Sequence, residues 1–343
     1  MRRFLLALIV LLLSASRGSA EPLPLVDLPV LLTDGDNLQD LAFWVALGAG
    51  YFEDEGFRIR RTISPTPGEA AKLFTGGAAP VAVLPPPIYL SLIGERVPLK
   101  IVGSLLRNDA INLIVRRSVA AERKLTATEP LAERLQKLHG IKLGVAPGPI
   151  TRLKTLYSAN GLVADRDAQL VVLMGQEQNA AFEAGRVDAL YAHSPYLEKA
   201  LERQDAVLIV NQSAGEVRAL TSPLIHALVV TAEFARKQPD AVMRLDRAID
   251  RAESLVRADL PRATAALLKA LPAVEKPLAE RIVAIYQPAM PLTPEVSVDA
   301  VRRALTLFPA NKVPPDLSAI DLAQYVAPAF AERAVRSRRV SAK

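Results

Sequence analysis

The residues able to do chemistry are sparse in this chain. Its three histidines, His139, His193 and His226, are scattered, and there is no cysteine. No metal-ligand spacing, His-Glu-x-x-His helix or thiolate centre can be built from them. Gly-x-Ser-x-Gly, Walker-type and Gly-x-Gly-x-x-Gly runs are missing as well. Catalysis needs a nucleophile or a tuned acid/base set, so the expectation is a protein that binds rather than transforms, with no cofactor and no metal. What remains suits hydrogen bonding to a small molecule. Pro147-Gly148-Pro149 breaks a short strand and opens a helix, leaving unpaired N–H groups around Gly148, Ile150 and Thr151 that attract negative charge. Thr151 adds a hydroxyl at that end and Arg152 a guanidinium. Asn37, Gln39 and Asp40 follow another strand end, and His193, Ser194 and Tyr196 a third. Trp44, the single tryptophan, is either a core aromatic or a pocket wall. Pro85-Pro86-Pro87, just before Tyr89, is either a rigid loop lining a pocket or only a stiff turn.

These groups need elements to hold them. Ile141, Leu143 and Val145 alternate with Lys142 and Gly144, the period-2 pattern of a short strand. Beyond the break, Pro149 suits the first helical position with Gly148 as its cap. Ile150, Leu153, Leu156 and Tyr157 share one helical face, and Gly161 supplies a left-handed stop. The same strand-turn-helix logic recurs along the chain, with Leu170–Leu173 read as a buried strand and Ile111–Arg116 and Leu224–Val230 as two more. From Pro239 onward the pattern turns helical, ending in segments at Val298–Leu307 and Ile320–Ala331, with prolines between segments. Strands alternating with helices imply an α/β protein with mainly parallel sheets.

Residues 1–20 read as a secretory signal peptide: Arg2 and Arg3, the apolar run Phe4–Leu13, and the small residues Gly18-Ser19-Ala20. The apolar run is too short to span a bilayer comfortably, and without cysteine there is no lipid-modified N-terminus. A soluble, exported protein is expected. Removing Arg2, Arg3 and Arg17 lowers the formal charge from +6 to +3. The basic tail, 333–343, is read as solvated and frayed, with no nucleic-acid partner. The roughly 320 residues that remain are comfortable for two domains.

An internal echo supports two related lobes. Placing Phe74 over Phe182 sets Gly77 over Gly185 and Pro87 over Pro195 without a gap, and Val81–Leu84 over Ala189–Ala192. Four stretches then carry a resemblance: Leu41–Phe57 with its Trp44, Ile141–Leu162, Phe182–Tyr196 with Gly-Arg-Val-Asp-Ala, and His226–Val242. In their order the chain resembles the periplasmic solute-binding proteins of ABC importers, in the branch of nitrate, sulfonate, taurine and pyrimidine-precursor binders. Pro80 stands where that family often has aspartate, and Pro149 and Ile150 stand where anion binders put Ser or Thr. A larger, partly apolar solute is the expectation.

The resemblance implies a two-lobed periplasmic-binding-protein-like α/β fold with crossover hinge strands and a helical C-terminal part. Lobe 1 would comprise 26–116 and 224–332, lobe 2 117–223, and the ligand would sit between them. It further implies a monomer in the periplasm that serves an ABC permease and ATPase. An exported sensor for a membrane receptor and a synthase-like enzyme of the same fold are the alternatives. The Gly18-Ser19-Ala20 site leads to one expected outcome: N-terminal sequencing of the exported protein should begin at Glu21 or within a few residues. A cytoplasmic protein that keeps Met1 would end the importer reading.

Overall fold

Short β-branched runs between turn residues make the strands here, and prolines repeatedly start the helices that cover them. The computed structural model describes residues 24–33, 38–307 and 317–341. The signal peptide, Asn37 and the final two residues of the tail lie outside the described residues. Two five-stranded sheets result. The first contains β1 (Val26–Thr33), β2 (Phe57–Ser64), β3 (Val81–Leu84), β4 (Leu99–Ser104) and β10 (Ala227–Thr231), in the order β2-β1-β3-β10-β4. The second contains β5 (Asn112–Arg116), β6 (Lys142–Val145), β7 (Gln169–Val172), β8 (Ala189–Ala192) and β9 (Ala206–Val210), in the order β7-β6-β8-β5-β9. In each sheet the first three strands run parallel, and one inserted strand, β10 or β5, runs antiparallel to both of its neighbours. The chain leaves the first sheet after β4 to supply β5 to the second, then returns after β9 to supply β10 to the first. This is the two-lobed α/β architecture with crossover strands.

The echo has a structural counterpart. β3 and β8 hold the same place in their sheets, and the glycines before them, Gly77 (φ +79°) and Gly185 (φ +70°), both adopt the left-handed turn that glycine allows cheaply. Asp188, which precedes β8, accepts the Lys142 amide at 2.9 Å; its counterpart Pro80 instead offers a carbonyl to Thr231 at 2.9 Å.

The first half of the chain carries α1 (Leu41–Gly48), α2 (Tyr51–Asp54), α3 (Pro67–Thr75), α4 (Pro86–Gly94), α5 (Arg117–Glu122), α6 (Leu131–Lys137), α7 (Ile150–Ser158) and α8 (Ala164–Asp167). The second carries α9 (Glu177–Glu183), α10 (Glu198–Glu202), α11 (Ala232–Lys237), α12 (Pro239–Ala258), α13 (Leu260–Ala270), α14 (Lys276–Tyr286), α15 (Val298–Thr306) and α16 (Ala329–Ser341). Several expectations are corrected here. The triple proline is neither a pocket loop nor a turn: Pro85 caps α4 and the next two prolines fill its first positions, where the missing N–H has no intrahelical partner to lose. In α7, Pro149 itself is the cap residue and Ile150 begins the helix. β7 is an edge strand, with Val172 exposed and Leu170 half-buried, so its apolar run reflects one covered face only. No helix spans Ile320–Ala331; the last helix starts at Ala329, just after Pro328, and runs through the supposedly frayed tail to Ser341. Ala334 and Val335 are buried, and α16 packs on α12, so an apolar stripe among the arginines holds it. α5 was not anticipated, being too short to show a period.

α1 is apolar on every side because it is covered on every side: Leu41 to Ala46 are all buried, between the first sheet, α12 and α13. The close crossing of α1 and α13 depends on Gly48. A Cβ there would lie 1.8 Å from the Ala266 carbonyl oxygen. Gly48→Ala should therefore push the helices apart and destabilise by about 1–3 kcal/mol, read as a lower denaturant midpoint. An unchanged midpoint would show that α13 shifts freely.

Candidate functional site

Two chain passages join the lobes, and they are tied to each other. Leu105 donates to the His226 carbonyl (2.8 Å), Ile225 to Leu106 (2.7 Å) and Asn108 to Ser222 (2.8 Å). Side chains complete the joint. The buried Asn112 and Ser213 bond each other, and Gln212 donates its amide to the Asn108 carbonyl at 2.7 Å while accepting Val217 N–H at 2.9 Å. The C-terminal part adds a third tie. The Tyr286 hydroxyl, at the end of α14, donates to the Ala110 carbonyl and accepts the Ser194 amide, both at 3.1 Å.

Around this joint the ionisable residues are buried in pairs. Asp40, just before α1, meets the Nδ1 of His226, and both are nearly inaccessible. Arg152 on α7 pairs with Asp109 of the first passage at 2.5 Å. The spacing of α7 put Arg152 at a helix start free to meet a ligand; the fold commits its guanidinium to a protein carboxylate instead. Tyr191 on β8 lies close to this pair, and burial pushes its phenol above the usual range. Leu38, in a short turn ahead of α1, reaches across to donate to the Ser194 carbonyl at 3.4 Å. Ser194 in turn donates its hydroxyl to Glu198, whose carboxyl is raised to about 7 because α10 buries it, with the Ser194 bond opposing the shift.

Outward from the joint lies an interlobe cavity of about 480 Å³. The first lobe contributes Leu38, Arg61 of β2, the link between α13 and α14 from Ala270 to Glu275, and Leu278 of α14; the second contributes Gln176, Pro195 and Lys199. Of the His193–Tyr196 loop expected to line a cleft, Pro195 does line it, and the other described residues singled out from the sequence do not. Gln39 is buried beside Leu38, and His193 and Tyr196 flank Pro195 with their rings 5.2 Å apart. Trp44 is a core residue, edge-on to Phe43, with the Arg61 guanidinium 5.5 Å above its ring, so it acts on the cavity only by supporting Arg61. Pro85 and Tyr89 belong to α4, which packs on α3 and α15, and Tyr89 is fully buried. Gly148 is exposed, and Ile150 and Thr151 are half-buried at the start of α7. The structure thus gathers Gln39 and the His193–Tyr196 loop at the cavity's inner edge, and leaves Trp44, Pro85 and Tyr89 in the first lobe's interior.

Arg61, Lys199, Gln176 and the α13–α14 link were missed because they come from four distant segments with no shared spacing. One signal was available: Leu271-Pro-Ala-Val274, an apolar break between two helical patterns. No group of three His, Asp or Glu among the described residues could hold a metal ion.

The sequence profile of the NMT1-like family matches residues 39–270. No protein of curated function matches. Among solved structures, the chain is similar to the periplasmic aliphatic sulphonate binding protein SsuA from Escherichia coli, at 17% identity over 88% of this chain and 92% of that one, with a TM-score of 0.64. It is similar to a periplasmic sulfonate-binding protein from Methylobacillus flagellatus KT, at 14% identity over 92% of this chain and 96% of that one, with a TM-score of 0.66. The desulfurization enzyme DSZB also aligns, at 17% identity over 90% of this chain and 99% of that one, with a TM-score of 0.61. At these identities the likeness is one of fold.

Glu198 makes the wall of the cleft sensitive to pH. Its raised value means that the folded chain binds this proton more tightly than the unfolded chain. Its stabilising effect is therefore full below the ordinary glutamate range, near 4.3, and declines as pH rises to about 7, by about 3 kcal/mol in all. Glu198→Gln should flatten that part of the profile in denaturant melts at about pH 5 and about pH 8. An unchanged slope would assign it to another group.

Proposed function

The chain belongs to the NMT1-like family, and from that membership and the cleft geometry we propose that it is the solute-binding component of an ABC-type importer. In this reading it works as a monomer in the periplasm. β5 (Asn112–Arg116) pairs within the second sheet and α16 packs on α12, so the lobes divide before β5 and not after Arg116, and the first lobe runs on through α16. It closes on a small organic solute and delivers it to a permease and ATPase in the inner membrane. The observation that carries the reading is the interlobe cavity, walled by residues from both lobes. A ligand that contacts both walls favours the closed arrangement by its differential affinity.

The lining speaks for an anionic solute with an apolar body. Arg61 and Lys199 reach the cavity from opposite lobes against the single carboxylate of the described lining, Glu275, and neither pairs with it or with any other carboxylate among the described residues. Leu38, Leu271, Val274 and Leu278 supply apolar surface, and about 480 Å³ admits more than an inorganic ion. Aliphatic sulphonates, named for the Escherichia coli neighbour, fit that description. The helix start at Gly148, Ile150 and Thr151 and the His193–Tyr196 loop remain proposed contacts at the inner edge.

The likeness to a desulfurization enzyme favours a second reading, chemistry in the same cleft. Any such chemistry would proceed here without a cysteine. Native mass spectrometry of gently purified protein, then incubation with the identified solute, separates the two readings: an importer subunit returns the solute unchanged. A solute at about a hundred times its dissociation constant should stabilise the protein by about 2.7 kcal/mol. Arg61→Gln and Lys199→Gln should each weaken binding about ten-fold or more by calorimetry. Unchanged affinity in both would remove the solute from this cavity.

A further inference from the structure

A second concavity, of about 300 Å³, lies at the joint between the lobes and shares no lining residue with the cleft cavity. It is formed by Arg107 and Asn108 of the first passage, Thr221, Ser222 and Pro223 of the second, and Arg303 of α15. We propose that this hinge pocket binds a small oxyanion of the phosphate or sulphate class, held between the guanidinium groups of Arg107 and Arg303.

The argument is one of charge. Arg107 donates Nε and Nη2 to the Pro288 carbonyl, at 3.2 and 2.9 Å. Arg303 donates Nε to the Thr221 carbonyl at 2.8 Å, Nη2 to the Arg218 and Ala219 carbonyls at 3.3 and 3.0 Å, and Nη1 to the Thr306 hydroxyl at 3.1 Å. Every one of these acceptors is neutral. They hold the two guanidinium groups in place without supplying a negative charge to either. Among the described residues no carboxylate lines the pocket, and neither arginine forms an ion pair.

Arg116, Arg123 and Arg244, half-buried like Arg107, also donate to backbone carbonyls, but none of them lines this pocket, whereas here two such cations share one concavity. Three other sheltered arginines have carboxylate partners. Arg134 pairs with Glu216, Arg152 with Asp109 and Arg247 with Glu55. Asp109, next in sequence to Asn108, could have served Arg107 but is committed to Arg152. Two half-buried cations facing one pocket repel each other unless an anion joins them. Among the described residues the Nη1 of Arg107 has no protein acceptor, and planar guanidinium forks match oxyanions. An anion here touches both passages and α15 at once, so it would brace the joint on which lobe movement turns.

Calorimetric titration of the mature chain with inorganic phosphate, at constant ionic strength against chloride, tests this. Saturable phosphate binding is expected, weakened about ten-fold or more by Arg107→Gln. Arg107→Lys, which keeps the charge and loses the fork, should weaken it less and serves if the glutamine variant fails to fold. The binding should persist in Arg61→Gln, which touches only the cleft. Absence of saturable phosphate binding, unchanged affinity in either Arg107 variant, or loss in Arg61→Gln would each overturn the proposal. So would association with phosphatidylglycerol vesicles without binding of free phosphate, since the source would then be a membrane surface.

Discussion

Every polar group carried through the joint between the lobes must find a partner away from water, because an unpaired buried donor or acceptor costs about 1–3 kcal/mol. That requirement explains the residue types gathered there. The two passages bond each other's backbones, Asn112, Gln212 and Ser213 take up what remains, and Tyr286 closes the set from α14. The exchange of strands creates the demand. β5 and β10 each leave the sheet they follow and enter the other, so two stretches of backbone must cross where neither sheet can satisfy them.

The same economy governs charge. Deep at the joint, Asp40 meets the Nδ1 of His226, and Asp109 is paired with Arg152. Breaking such a pair leaves an uncompensated buried charge, which is strongly destabilising. Toward the cavity mouth the pattern changes, and Arg61 and Lys199 stand without carboxylate partners among the described residues. Solvent stabilises them there, at little cost to the fold.

Support for the rim comes from the core. Arg61 lies over Trp44, Trp44 meets Phe43, and Phe43 meets Phe52, so the guanidinium is backed by a continuous aromatic stack in the first lobe. The opposite wall is stiffened through Ser194, which bonds Tyr286, Glu198 and Leu38. Because Leu38 and Tyr286 belong to the first lobe and Ser194 to the second, the wall and the lobe contact are one network.

By itself the sequence determined the strands, the parallel α/β class and the kinship of the two lobes. Those rest on local periodicity and on turn glycines such as Gly77 and Gly185, which act within a few residues. It also marked Gly161 as a helix stop, and its φ of +75° bears that out. The partners of its charges were beyond its reach. Asp40 and His226 are 186 residues apart, and nothing in the chain near either one announces the other. Arg152 read as a helix-start cation, since only the return of the first passage beside α7 brings Asp109 to it. The triple proline, read as a loop or a turn, starts a helix instead: all three require the same fixed φ, and packing against α3 and α15 accompanies the helix. The cavity was least visible of all. Arg61, Lys199 and the α13–α14 link meet because two lobes fold towards each other, and contact between lobes is a property of the tertiary structure with no local pattern to betray it.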